Sequence, residues 1–251
     1  MCSRYLIDIG YLSGTVEQGD FMPVIVFASS KGGVGKTTSA LSLAFVLAHH
    51  GARTTLVDAD PNAPLIRWAE RFPDGIPEGL TIKAGLGSEA AEVIDASVDP
   101  FTIVDLEGSK NIEVSVGLGR ADLALIPMKG SQLDADEAAA VIKLIKRQEL
   151  VFRRAIPFRV FFSQTSPVIM DKGMRDISSQ LRDQGIPLLK TAMVDRAAFK
   201  APFRLGGSLY DLTQADVRNP VAALQNAEEF ATEIRDILVN ESRAEGEGAH
   251  G

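Results

Sequence analysis

The sequence lacks the features expected of a secreted, membrane-spanning or cysteine-ligated metal protein. Cys2 is the only cysteine among 251 residues, so one chain can form neither an internal disulfide nor a thiolate-bridged cluster. No apolar run approaches the roughly 20 residues that a bilayer-spanning helix needs. Met1–Asp20 has neither the basic start nor the apolar stretch of a signal peptide. We therefore expect a cytoplasmic protein with no membrane partner.

The composition is that of an ordinary globular domain, but the charge is unevenly distributed. Hydrophobic residues make up 45% of the chain and charged residues 24%, and the length suits one large domain. The net charge is −7, yet the stretch from Phe152 to Arg218 carries +5 and the remainder −12. Such asymmetry permits a basic face on an acidic protein without proving one.

Strand and helix signals alternate from Val24 onward. The predicted strands are Val24–Ala28, Thr54–Val57, Leu80–Lys83, Phe101–Val104, Leu123–Pro127, Phe158–Phe162 and Pro187–Met193. The predicted helices are Lys36–His50, Leu65–Arg71, Glu89–Ala96, Ile112–Gly119, Asp134–Val151, Lys172–Gln184 and Asn219–Val239. This alternation predicts an α/β fold: a mostly parallel, twisted sheet with helices on both faces. Ligands of such sheets bind at the carboxyl ends of the strands.

We expect one domain over residues 22–240. The first convincing strand begins just after Met22, so residues 1–21 are interpreted as a disordered or non-native extension. Residues 241–251 are rich in Gly, Glu and Ala and are predicted to form a disordered tail. No stretch between these limits is a linker long enough to divide the domain.

The strongest functional signal is a glycine-rich segment that follows the first strand and opens the first helix. It comprises Lys31, Gly32, Gly33, Val34, Gly35, Lys36, Thr37 and Thr38. Glycines let backbone N–H groups approach phosphate oxygens, and the helix N-terminus adds unpaired N–H groups and a favourable dipole. Lys36 is expected to neutralise the β- and γ-phosphates and Thr37 to ligate Mg²⁺. The segment therefore predicts a P-loop that binds ATP with magnesium.

One departure from the general P-loop pattern narrows the interpretation. Ser30 stands where that pattern has its first glycine, and Lys31 is an additional lysine at the front of the loop. This arrangement resembles the deviant Walker A loop of the ParA/MinD superfamily. The resemblance implies that Lys31 reaches across an ATP-bound homodimer to the nucleotide of the partner subunit. It also implies a P-loop ATPase in which Lys31, Lys36 and Asp60 are catalytic.

Two acidic motifs extend the resemblance. Asp58–Pro61 follows the second strand and looks like the Asp-x-Asp-Pro motif of the superfamily. By that match, Asp60 positions or activates the attacking water, and Asp58 supports the switch loop and the magnesium shell. Asp105 ends an apolar strand in the Walker B manner and is expected to hold Mg²⁺ through water. The superfamily usually continues with Thr and Pro, whereas Glu107 lies two residues on, and whether it approaches the nucleotide stays open.

The chain most resembles small ParA-like proteins of plasmid partition and conjugative transfer. That resemblance implies slow, partner-stimulated ATP hydrolysis, an ATP-dependent homodimer, non-specific DNA binding and a ParB-like or transfer-complex activator. Arg196, Lys200 and Arg204 are spaced four apart and are predicted to contact DNA from one helix face, although Pro202 restricts or interrupts that helix.

Two other function classes stay open. A MinD-like or other cluster-positioning ATPase that uses a membrane needs a basic amphipathic C-terminal helix, whereas Asn226–Asn240 carries four acidic residues and one arginine. A metabolic P-loop ligase or kinase needs a pocket for a small acceptor, and the sequence identifies no constellation for one. The cluster-carrying branch of the superfamily needs cysteines that the body of this chain lacks.

Overall fold

Strands and helices alternate along the computed structural model, which describes residues 22–107, 116–166 and 172–248. In chain order its elements are β1 Val24–Ser29, α1 Lys36–His49, β2 Thr54–Ala59, α2 Pro64–Arg71, β3 Leu80–Ala84, α3 Glu89–Asp95, β4 Phe101–Glu107, β5 Leu123–Met128, α4 Gln132–Phe152, β6 Phe158–Thr165, α5 Lys172–Asp183, β7 Met193–Val194, α6 Ala197–Leu205 and α7 Pro220–Gly248. The expected extension at 1–21 and residues 112–115 of a predicted helix lie outside the described ranges.

Within the described ranges, seven strands form one parallel sheet in the order β3-β2-β4-β1-β5-β6-β7. The predicted α/β fold with a parallel sheet is confirmed. β1 lies centrally between β4 and β5, and β4 separates it from β2. Asp105 of β4 pairs in register with Asp58 of β2 on one side and with Phe27 of β1 on the other. The carboxyl ends of β1, β2 and β4 therefore meet at one edge.

Helices cover the sheet on both faces. Alternate side chains of each strand point in opposite directions, so each strand contributes to two cores. Ile25 and Phe27 of β1 belong to a core with α1 and α7, whereas Val26 belongs to a second core with α4 and α5. In the first core the rings of Phe161 and Phe230 lie 5.0 Å apart between centroids. Burial on both faces explains why the strands have near-continuous apolar sequences. Truncating a fully buried phenylalanine here is expected to cost about 3–5 kcal/mol.

The structure differs from the sequence-based assignment at two places near the C-terminus. The expected disordered tail is helical through Gly248, since α7 continues past Val239 through helix-favouring Glu, Arg and Ala residues. The predicted strand Pro187–Met193 is reduced to β7 and a single bridge at Leu188. The reason is that side chains of α7 accept hydrogen bonds from backbone amides that would otherwise pair with a neighbouring strand. The Glu233 carboxylate accepts hydrogen bonds from the amides of Lys190 and Thr191, and Asn226 accepts one from the amide of Val194.

Candidate functional site

The loop between β1 and α1 has the backbone geometry of an anion site. Gly33 and Gly35 have φ angles of 72° and 86°, in the left-handed region that glycine adopts without strain. Gly35 occupies the N-cap of α1 and offers no side-chain acceptor to the first turn of that helix. The N–H groups of this turn therefore keep their hydrogen-bonding capacity and the positive end of the helix dipole for a ligand.

The end of β6 supports this loop from behind. The Ser163 hydroxyl donates to the carbonyl of Val34 at 2.6 Å, and the Gln164 amide donates to the carbonyl of Gly33 at 3.1 Å. Because the carbonyl and the following N–H of a trans peptide point in opposite directions, the N–H groups of Val34 and Gly35 face away from β6. Contacts from β6 thus hold the loop in this conformation.

A lysine, a hydroxyl and a carboxylate meet where α1 passes the end of β4. Lys36 is buried, and the Thr37 hydroxyl donates to Oδ2 of Asp105 at 2.5 Å. Burial raises the pKa of Asp105 to about 6, although the Lys36 charge and the Thr37 hydrogen bond act to lower it. Oδ1 of Asp105 is buried without a hydrogen-bond partner among the described residues. An acceptor in that state has capacity for a metal-bound water.

These donors fit magnesium held together with a nucleotide. In the described ranges no three His, Cys, Asp or Glu side chains are grouped closely enough to hold a metal by themselves. Mg²⁺ keeps several waters and typically takes one or two protein oxygens together with phosphate oxygens. The Thr37 hydroxyl and the free oxygen of Asp105 supply that kind of partial shell. The predicted magnesium roles of Thr37 and Asp105 are therefore compatible with the geometry.

Asp58 has a different local structure from Asp105, although the two are paired across neighbouring strands. Its Oδ1 accepts from the amide of Asp60 at 3.2 Å, and its Oδ2 accepts from the amides of Leu65 at 2.8 Å and Ile66 at 3.0 Å. Burial raises the pKa of Asp58, against the opposing effect of these amide hydrogen bonds. Asp58 therefore caps α2 from a distance and fixes the loop that follows β2. Its predicted contact with the magnesium shell stays a prediction.

Asp60 lies in the turn directly after β2, beside Asp58. Its Oδ1 accepts from the amide of Asn62 at 2.7 Å, and its carbonyl accepts from the amide of Ala63 at the same distance. Its charge is one of the contributions that raise the pKa of Asp105, so the two carboxylates share one electrostatic environment. The structure thus brings Asp60 to the same edge as the loop. Its role toward an attacking water stays a prediction.

Lys31 makes a contact that the sequence did not indicate. Its Nζ lies 3.2 Å from Oδ1 of Asp134, a buried residue in the first turn of α4. Burial acts to raise the pKa of Asp134, but hydrogen bonds from Ser131 and Lys31 hold that pKa below its ordinary value. Ser131 is the N-cap of α4 and accepts from the Asp134 amide. The Ser-x-x-Asp spacing is a capping pattern, and it was the available signal for this acid.

Comparison with known proteins identifies the family. Residues 25–205 match the family model CbiA, the CobQ/CobB/MinD/ParA nucleotide binding domain. The chain is 38% identical over 216 residues to Protein ParA of Rhizobium radiobacter, covering 85% of this chain and 96% of that protein. The chain belongs to this family. It is also 31% identical over 187 residues to Protein virC1 of Rhizobium rhizogenes, covering 72% of this chain and 80% of that protein.

Solved structures with little sequence identity have the same fold as this ParA-like protein. The MinD cell division protein of Aquifex aeolicus has a TM-score of 0.63 at 18% identity, covering 86% of this chain and 97% of that one. Cobyrinic acid a,c-diamide synthase of Mycobacterium smegmatis, with a bound ATP analogue and magnesium, has a TM-score of 0.60 at 17% identity, covering 84% and 93%. Nucleotide and magnesium are therefore ligands of proteins with this fold.

A pocket of the ParA-like protein lies beside the start of α1. Gly35 and Ser39 line one side, and Asp195, Arg196 and Phe199 line the other. Arg196 is half-buried, and its Nε is buried without a hydrogen-bond partner among the described residues. A buried guanidinium N–H of this kind has capacity for an acceptor supplied by a ligand. Ser163 and Gln164, which the sequence indicates only by position as candidates for reading the adenine, also line this pocket. Its link to Arg196 was not predictable, because the two walls are more than a hundred residues apart in the chain.

The three residues predicted to contact DNA do not lie on one helix face. Arg196 precedes α6 in extended conformation, with a φ of −129°, so the prediction of a shared face is wrong for this residue. Lys200 and Arg204 are exposed on α6. Pro202 lies inside α6 without ending it, and its carbonyl accepts from the Trp68 indole at 2.8 Å. The side chain of Glu107 lies outside the described part of the chain. Whether it approaches the nucleotide therefore stays open.

Proposed function

We propose that this protein is a dimerising switch ATPase that positions or partitions DNA or a DNA-associated complex, of the plasmid-partition or conjugative-transfer type. The observation that carries the proposal is the position of Lys31. It stands at the front of a phosphate loop that lies beside the Thr37–Asp105 pair. Its 38% identity to Protein ParA over nearly the whole of that protein supports the same conclusion.

Each site residue has a role in this cycle. The N–H groups of the loop and of the α1 N-terminus bind the phosphates, and Lys36 neutralises their charge. Thr37 and, through water, Asp105 would hold Mg²⁺, which would supply positive charge against the β- and γ-phosphates. Asp60 orients the attacking water. Lys31 serves the nucleotide of the partner subunit, so that catalysis requires the ATP-bound homodimer.

We assign the ribose and base to the pocket lined by Ser39 and Arg196. This pocket adjoins Gly35 at the end of the phosphate loop, so the ribose and base of a nucleotide held by that loop would reach it. The unpartnered Nε of Arg196 is a donor suited to a ring nitrogen or a ribose oxygen. Arg196 is thereby reassigned from DNA binding to nucleotide binding.

The proposed DNA contacts are then reduced to Lys200 and Arg204. Lysine and arginine contacts to phosphates give sequence-independent, salt-sensitive affinity. Lys200 lies 2.7 Å from Asp195, and Arg204 acts electrostatically on Asp216, so an acidic neighbour weakens each charge. We therefore infer modest DNA affinity that depends on pairing two subunits. A ParB-like or transfer-complex partner would stimulate hydrolysis and release.

The proposal is tested by size-exclusion chromatography of the wild type and Asp60→Ala with ATP, ADP or no nucleotide, with and without duplex DNA. Loss of water positioning is expected to trap Asp60→Ala as an ATP dimer that retains DNA, whereas the wild type returns to monomer as ATP is consumed. Asp136→Ala, an exposed acid on α4, is the matched control and should behave as wild type. Elution that is the same in all three nucleotide conditions would refute the switch.

A MinD-like membrane function has less support. The part of α7 that such a function would use has its apolar face in the core, where Phe230, Ile234 and Leu238 are almost fully buried. None of the helices in the described ranges has the length and apolarity to cross a bilayer. The metabolic alternative predicts fast phosphate release that depends on a small acceptor and needs neither DNA nor a protein activator.

A further inference from the structure

The front of the phosphate loop is tied to α4 by two side-chain contacts. Lys31 pairs with Asp134 at 3.2 Å, and the Ser30 hydroxyl hydrogen-bonds to Glu137, one turn further along α4. In this arrangement the Lys31 ammonium is directed to a carboxylate of its own subunit. A lysine held there is not available to a second subunit, so the two uses of Lys31 exclude each other.

The exposure and hydrogen bonding of the Lys31–Asp134 pair allow it to open. Lys31 is 44% exposed, whereas Asp134 is only 4% exposed. When the lysine leaves, Asp134 keeps the Ser131 hydroxyl, which donates to Oδ2 at 2.5 Å, and stays at the N-terminus of α4. The buried carboxylate is therefore not left without partners. The lysine itself has a flexible stem and three donors that can be directed elsewhere.

We propose that Asp134 is a positioning residue that retains Lys31 within its own subunit and competes with the partner's nucleotide for it, thereby setting how readily ATP-bound chains pair. The proposal rests on the proposed function, from which it takes the ATP-dependent homodimer. In a symmetric dimer two such contacts must open, so the effect of each contact enters the dimerisation constant twice.

The test is sedimentation velocity with Mg²⁺ and a non-hydrolysable ATP analogue. Asp134→Asn keeps an acceptor for Ser131 but removes the charge that holds Lys31. A partly exposed ion pair of this kind changes an equilibrium by about threefold, so the dimer Kd should fall by about tenfold. The nucleotide Kd of the dilute monomer should stay unchanged, which separates positioning from a general disturbance of the loop.

Four further variants control the result. Asp134→Ser keeps a capping side chain too short to reach Lys31 and should tighten the dimer in the same way, should the asparagine variant fold poorly. Asp134→Glu keeps the charge and should restore wild-type pairing. Asp136→Asn changes an exposed acid on the same helix and should have no effect. Adding Asp134→Asn to Lys31→Ala should bring no gain, because the lysine that it releases is gone.

The outcomes separate this inference from the proposed function. A wild type that shows no nucleotide-dependent dimer would contradict the proposed function itself. A wild type that dimerises and a Lys31→Ala variant that does not, combined with equal or weaker pairing of the Asp134→Asn and Asp134→Ser variants, would overturn the inference alone.

Discussion

Asp58 and Asp105 are both buried, pair in register on neighbouring strands and lie at the same edge of the sheet, yet their carboxylates are used differently. Asp58 gives both oxygens to backbone amides of the loop and helix after β2. Asp105 gives one oxygen to the Thr37 hydroxyl and keeps the other without a partner among the described residues. The Asp58 carboxylate stabilises the backbone after β2, and the Asp105 carboxylate has one oxygen available to a ligand.

The comparison separates a carboxylate that stabilises local structure from one with an oxygen left for a ligand. Amide hydrogen bonds compensate the burial of Asp58, so its charge stabilises local structure. The burial of Asp105 is compensated less completely, and its pKa rises to about 6. A group left in that state costs folding free energy, which a bound cation would recover. Substituting Asp58 should therefore affect stability more than activity. Substituting at the Asp105 end of the site should affect activity more than stability.

The largest expected effect is on catalysis at the Asp105 end. Replacing Thr37 by Val removes the proposed magnesium ligand and should lower the rate of ATP hydrolysis by about 1,000-fold, since metal stabilisation of charge is worth several kcal/mol. Thr37→Ser keeps the hydroxyl and should retain most of the activity. Steady-state phosphate release measures both, and an active Thr37→Val would remove this residue from the metal site.

The next effect is on stability at the Asp58 end. Asp58→Ala leaves three amides without their acceptor and should lower the free energy of unfolding by about 3 kcal/mol. Urea denaturation of the nucleotide-free protein measures this. Asp58→Asn keeps acceptor oxygen and should lose less. Wild-type stability of the alanine variant would mean that these amide bonds do not hold the loop.

For Asp105, substitution should raise the free energy of unfolding measured by urea denaturation, not lower it. Its pKa lies near 6 in the folded protein and near 3.8 when unfolded, so its contribution to stability is present below pH 4 and is lost as pH rises through 6. Asp105→Asn does not titrate there. The variant should therefore exceed the wild type by about 2 kcal/mol at pH 8, and the difference should shrink toward pH 4. A constant difference across this range would contradict the buried-charge explanation.

A smaller effect should separate Arg196 from Arg204. Arg196→Gln removes a guanidinium from the pocket beside Gly35 and should weaken ATP binding by about tenfold, measured by calorimetry. Arg204→Gln, on exposed α6, should leave that affinity unchanged. Equal nucleotide affinity of the two variants would return Arg196 to the predicted DNA contacts.

The smallest effect concerns DNA. Lys200→Gln should reduce the slope of log K against log salt by about one for ATP-dependent DNA binding, because one phosphate contact is lost. Lys143 is an exposed lysine on α4, on the far side of the sheet from α6, and Lys143→Gln provides the control for the loss of one positive charge elsewhere. A slope equal to that of the wild type would exclude Lys200 as a contact.

The sequence predicted those parts of the site that are local in the chain. The alternation of apolar strands and helices gave the parallel sheet, and the glycine spacing from Lys31 to Thr38 gave the phosphate loop, because both depend on neighbouring residues. The hydrogen bonds from backbone amides to both oxygens of Asp58 were not predictable, since they depend on where α2 places its first amides. The proximity of Asp134 and Arg196 to the phosphate loop was not predictable, because α4 and the β7–α6 connection approach that loop only through the tertiary fold.

The most direct test of the central claim is calorimetry of ATP binding to the wild type and Asp105→Asn, with and without Mg²⁺. If the Thr37–Asp105 pair completes a magnesium–nucleotide site, the wild type should bind ATP more tightly with the metal, and the variant should lose that gain while still binding the nucleotide. The same magnesium-dependent gain in both proteins, or no ATP affinity in the wild type, would contradict the account.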